Sequence, residues 1–184
     1  MSEEEKIFVA LFSGINVGGN RIVKMAELRS FFEKLGFGDV ATYVQSGNVV
    51  FRSATGDAAT LTKQLETAVE KKWGFHSRIM VRDLGWFERL VIENPYPEVA
   101  GEPTKLHAYA LERAPTPEET ARLSQKCTGP ESFEIRDDVL YLHAPDGLGK
   151  SVFANLIPRT LKVPCTARNW RTVRALLELA GRDG

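Results

Sequence analysis

Residues 7–12 read IFVALF, with Ile7, Val9 and Leu11 on one alternating face and Phe8, Ala10 and Phe12 on the other. A strand that is apolar on both faces belongs in the middle of a sheet that is covered on both sides. A single layer of helices covers only one of those faces. The other then needs a second subdomain or a partner chain, because each large side chain is worth about 1.5–3 kcal/mol when buried. This requirement limits the chain to layered α/β architectures.

The pattern that follows selects among them. Met25, Leu28, Phe32 and Leu35 recur at helical spacing, with Gly36 as a stop. Residues 40–44 and 48–52 read as two strands of a hairpin about Ser46-Gly47. Leu61, Leu65, Ala68 and Val69 define a second helix between Asp57 and Gly74, and residues 77–81 a fourth strand. The order β-α-β-β-α-β is the ferredoxin-like pattern. Asp83 caps a further short helix ending at Asn94-Pro95.

After a Pro- and Gly-containing linker, residues 95–103, the pattern restarts. Residues 106–111 form a strand, and Thr116-Pro117-Glu118-Glu119 is a capping box with Pro at the first helical position. Residues 133–136 and 139–143 make a hairpin about Asp137-Asp138. Residues 150–161 read as a helix that Pro158 should kink or end. Residues 163–166 form a short strand, and Trp170, Val173, Leu177 and Ala180 mark a last helix stopped by Gly181. The expected fold is therefore α/β of the α+β type: two ferredoxin-like βαββαβ subdomains with mostly antiparallel sheets. The first occupies residues 1–94 and the second residues 104–184.

Composition narrows the function classes. The 184 residues are 43% hydrophobic and 26% charged, ordinary for a globular chain, with 24 basic and 24 acidic side chains. The last part is basic: Lys150, Arg159, Lys162, Arg168, Arg171, Arg174 and Arg182 stand against Glu178 and Asp183. Such an end hints at an anionic ligand. The two cysteines, Cys127 and Cys165, have no metal-ligand spacing, so no metal or cofactor is expected. The acidic start, residues 1–6, does not read as a signal peptide, and no apolar run approaches the roughly 20 residues of a membrane span. A soluble cytoplasmic protein with no membrane partner is the expectation.

Three short runs carry a resemblance. Gly14-Ile15-Asn16-Val17-Gly18-Gly19, Tyr43-Val44-Gln45-Ser46-Gly47-Asn48-Val49-Val50-Phe51 and Thr166-Ala167-Arg168-Asn169-Trp170-Arg171-Thr172-Val173 resemble the domain-of-unknown-function family numbered 1697. The resemblance implies no assigned activity.

Chemistry then has to be read from the residues. In a β-α-β-β unit the loop after the first strand and the hairpin turn lie at one end of the sheet. That places Asn16, Gly18, Gly19, Asn20 and Arg21 near Gln45, Ser46, Gly47 and Asn48. The amides of Gly18, Gly19 and Asn20, beside Arg21 and Lys24, could cradle an anion. Glycines that only serve positive φ in a turn explain the loop equally. Gly147-Leu148-Gly149-Lys150-Ser151 resembles the end of a P-loop, but Ala144 stands where the motif needs its first glycine. Nucleotide hydrolysis is excluded on that basis. Lys150, Arg168 and Asn169 form a second candidate cluster. His107, Tyr109, Tyr141 and His143 could give a sheet face for stacking bases, although no RNA-binding signature accompanies them. The expected function is binding of a phosphate-bearing or anionic partner, a nucleotide or nucleic acid. The alternatives are an enzyme using the loop end with His76 as acid or base, and a protein-interaction module without a ligand.

Overall fold

The computed structural model describes residues 5–44 and 47–181. The chain divides into two compact units, one formed by Met1–Arg89 with Ala175–Gly184 and the other by Leu90–Arg174.

In the first unit β1 (Lys6–Phe12), α1 (Met25–Lys34), β2 (Gly38–Tyr43), β3 (Asn48–Ser53), α2 (Ala58–Trp73) and β4 (Ile79–Asp83) follow in order. The sheet is antiparallel with strand order β2-β3-β1-β4, the ferredoxin-like arrangement. As expected for a doubly apolar strand, β1 is central, with Ala10 opposite Val49 on one side and Val81 on the other. Phe8, Ala10 and Phe12 join Leu28 and Phe32 of α1 and Leu61, Leu65 and Val69 of α2 in one core. Val9 and Leu11, on the alternate face, are also buried. On that side Leu179 and Ala180, from the far end of the chain, approach Ile7, Val50 and Arg52. Asp57 caps α2 by accepting from the Thr60 amide at 2.8 Å, and left-handed Gly74 ends it. On β4 the amides of Ile79 and Val81 donate to Glu66 Oε1 and Thr62 Oγ1 of α2, which closes an edge strand to further pairing.

The second unit repeats the order with β5 (Leu106–Leu111), α4 (Pro117–Lys126), β6 (Ser132–Arg136), β7 (Val139–His143), α5 (Val152–Leu161) and β8 (Cys165–Asn169), and its sheet order is β6-β7-β5-β8. Before it lies α3 (Leu84–Ile92), with the Trp86 amide capped by Asp83 Oδ1, and after it α6 (Trp170–Gly181). The boundary between the units falls inside these two helices. Tyr109, Leu111, Leu140 and Leu142 pack with Leu123, Phe153, Ile157 and Leu161. Thr116 and Glu119 form the expected capping box on α4.

Several local expectations change. The helix α5 begins at Val152 because Ser151 caps it, its Oγ accepting from the Ala154 amide at 3.0 Å; Leu148–Lys150 is a separate 3-10 turn. Pro158 does not end α5, which runs on to Leu161 and closes on left-handed Lys162. The last strand starts at Cys165, since Pro164 has no amide to give a ladder. The buried stripe of α6 is Trp170, Val173, Leu176 and Ala180, one position off at Leu176. Tyr109 pairs with Leu140 and Tyr141 with Ala108, so the two tyrosines face opposite sides of the sheet. Both are buried, as is His107. The Tyr141 hydroxyl donates to the Leu90 carbonyl at 2.9 Å. The base-stacking face read from these residues is therefore not available.

Candidate functional site

The end of the first sheet is built around the segment that leaves β1. The Phe12 amide donates to the Gly47 carbonyl, the Ser13 amide to the Arg78 carbonyl, and Ser77 Oγ to the Ser13 carbonyl, each at 2.9 Å. Three separate stretches, the glycine loop, the hairpin turn and the entry to β4, are thus tied together. Within the loop, the Asn20 amide donates to the Val17 carbonyl across Gly18 and Gly19, whose φ values of 60° and 75° are both left-handed. Two left-handed central residues make a tight primed turn, which explains the glycine pair. Asn16 fastens the base of the loop: its Oδ1 accepts from the Val23 amide at 2.8 Å and its Nδ2 donates to the Val23 carbonyl at 2.9 Å.

The fate of the remaining loop-end residues follows. Asn48 is buried and donates from Nδ2 to the Tyr43 carbonyl at 3.0 Å. Gly47 sits beneath the loop, against Ile15 and Phe12. Gln45 and Ser46 lie outside the described residues. Asn16 and Asn48 thus have structural duties, and the Asn20 amide is spent inside its own turn. Arg21 stays exposed, its guanidinium 5.6 Å from the centre of the Phe75 ring. Lys24 is the N-cap residue of α1 and offers no side-chain acceptor to the helix amides. Among the described residues neither Arg21 nor Lys24 has a carboxylate partner. A lysine at a helix start opposes the macrodipole. The arrangement is a helix N-terminus with uncapped amides and two cations beside it. His76, the candidate acid or base, is exposed and held by no hydrogen bond among the described residues, so nothing orients it for proton transfer.

The C-terminal candidates separate. Arg168 on β8 donates from Nη1 to Thr166 Oγ1 at 2.8 Å and to the Ala167 carbonyl at 2.9 Å, and burial lowers its pKa to about 10. Asn169 caps α6, its Oδ1 accepting from the Thr172 amide at 2.9 Å. Lys150 belongs elsewhere, to a cleft of about 260 Å³ between the end of α4 and the start of α5. Lys126, Thr128 and Glu131 share that cleft. Sequence reading missed these three. The signal was the Gly129-Pro130 turn just after α4, which lines the cleft together with Pro145-Asp146-Gly147.

Among the described residues no group of three or more metal-ligating side chains occurs, and no helix is long and apolar enough to cross a membrane. Among solved structures, the conserved bacterial protein SP0830 from Streptococcus pneumoniae is similar, with a TM-score of 0.71 and 24% identity over 96% of this chain and 99% of that one. At this identity the likeness is one of fold. No curated protein matches the chain. The sequence model of one family does match, over residues 6–141, a span that takes in both the glycine loop and the hairpin turn. By that match the chain belongs to DUF1697, a family described as proteins of unknown function.

Proposed function

We propose that the first unit binds an anionic, phosphate-bearing ligand at the start of α1. The observation that carries this reading is the pairing of Arg21 and Lys24, two cations without a carboxylate partner among the described residues, with a helix whose first amides receive no side-chain cap. Helix N-termini of this kind favour anions through free amides and the macrodipole. The Gly18-Gly19 turn keeps the loop compact, while Phe75 supports the Arg21 guanidinium. A nucleotide or the backbone of a nucleic acid carries the chemistry these groups recognise.

The test is titration with inorganic phosphate, a nucleoside monophosphate and a short single-stranded oligonucleotide, read by thermal shift and calorimetry. Arg21→Ala and Lys24→Ala should each weaken binding about fivefold or more, with a smaller salt dependence than the parent. Lys150→Ala and Arg168→Ala serve as controls. Loss in the controls with unchanged loop variants moves the site to the second unit.

One observation favours a second reading. Val17, Ile22 and Val44 are exposed side chains on the glycine loop, its exit and the hairpin turn. Exposed aliphatic side chains beside cations also suit a protein partner. Absence of binding to all three probes would leave that interaction-module reading in place.

A further inference from the structure

The cleft of the second unit has a composition of its own. Its floor is apolar, with Phe153 and Leu156 of α5 and Ala144 after β7, and Val152 stands exposed at its rim. Lys126 and Lys150 reach it from the ends of two elements, and neither has a carboxylate partner among the described residues. Glu131 is also in the lining but is engaged: its Oε1 accepts from Ser151 Oγ at 2.5 Å, and that hydroxyl in turn caps α5. Gly129 contributes to this engagement, because the Glu131 carboxylate occupies the room a side chain at 129 would take.

These features define a ligand. Two lysines without carboxylate partners among the described residues, in one lining with Phe153 and Leu156, suit an anionic head and an apolar body. Glu131 and Asp146 balance the formal charge of the two lysines, so a polyanion such as a nucleotide meets added repulsion. A single negative charge meets less of it. A cleft of about 260 Å³ holds several waters and so has room for a small organic body. We propose that this cleft binds a small monocarboxylate with an apolar body, its carboxylate between Lys126 and Lys150 and its hydrocarbon on Phe153 and Leu156. The site is independent of the anion site at α1.

Phenylacetate is a suitable probe, with neutral phenylacetamide and with acetate as controls. Phenylacetate should raise the melting temperature of the full chain and shift the amide resonances of residues 126–131 and 144–153. Phenylacetamide and acetate should do neither at the same concentration. Lys126→Gln and Lys150→Gln, both surface changes, should each raise Kd about fivefold, the scale of one half-exposed charged hydrogen bond. Arg21→Ala should leave Kd unchanged, which keeps this site distinct from the one at α1. The proposal is overturned by any of three results: no response of the parent protein to phenylacetate, an equal response to phenylacetamide, or the same Kd in both lysine variants.

Discussion

At Gly47 the backbone φ is +75°, and a Cβ built there lies 2.5 Å from Ile15 Cδ1 and 2.6 Å from Phe12 Cβ. Conformation and space both demand glycine. At Gly18, φ is +60° but the surrounding space is open. Gly47→Ala should therefore cost about 2–4 kcal/mol, combining left-handed strain with overpacking, and Gly18→Ala only about 1–2 kcal/mol. Urea unfolding of the two variants checks the difference, and equal costs would contradict it. In sequence these glycines look alike. The turn role of Gly18-Gly19 is local and could be read, whereas the clash at Gly47 depends on where Ile15 lands. Asn16 shows the same limit: its polar side chain was visible, its partner Val23 was not. His107 is a second case. It is buried, its Nδ1 has no hydrogen-bond partner among the described residues, and burial lowers its pKa to about 4. A histidine depressed on folding gives stability that is whole above its unfolded pKa near 6.5 and is lost as pH falls toward 4. His107→Leu should remove that component. Its stability should fall less than the parent's between pH 6.5 and 4, by about 2–3 kcal/mol at the acid end.

Elements were legible where the signals are local. The capping box at Thr116, the start of α2 next to Asp57 and the doubly apolar β1 each appear in the structure as the sequence implied. Long-range pairing was less so: strand alternation alone does not fix register, and the two tyrosines of β5 and β7 landed on opposite faces. The helix α5 is the element where local preference and tertiary structure disagree most. Pro158 has no amide to give the Ala154 carbonyl, and Lys162 adopts φ 55° to close the helix. The ends of α5 hold because Phe153, Ile157 and Leu161 are anchored in the core. Replacing exposed Pro158 by Ala should stabilise the chain by about 1–3 kcal/mol. Lys162→Gly should add about 1 kcal/mol by relieving the left-handed strain. Both gains would appear as higher denaturation midpoints without a change in slope.

For the whole molecule, the two units share one strand order and one element order, although no sequence repeat is visible. Burial on both faces of a central strand was the legible part, since it follows from composition. The approach of Leu179 and Ala180 to Ile7 and Val50 was not, because they lie some 130 residues beyond β3 and no periodicity links them. A chain ending at Arg174 lacks them. In that variant the β1 and β3 amides should lose hydrogen-exchange protection before those of β5 and β7, and equal loss in both sheets would count against this assignment. The first unit is also not a continuous stretch of chain, since it needs residues from Ala175 onward. During synthesis, which adds about 5–20 residues each second, its sheet and the helices α1 and α2 leave the ribosome well before α6. A nascent chain that has reached only β4 therefore still lacks Leu179 and Ala180, which approach Ile7 and Val50 on one face of its sheet. The unit that is started first is thus completed only once α6 has been made, after all the strands of the second unit.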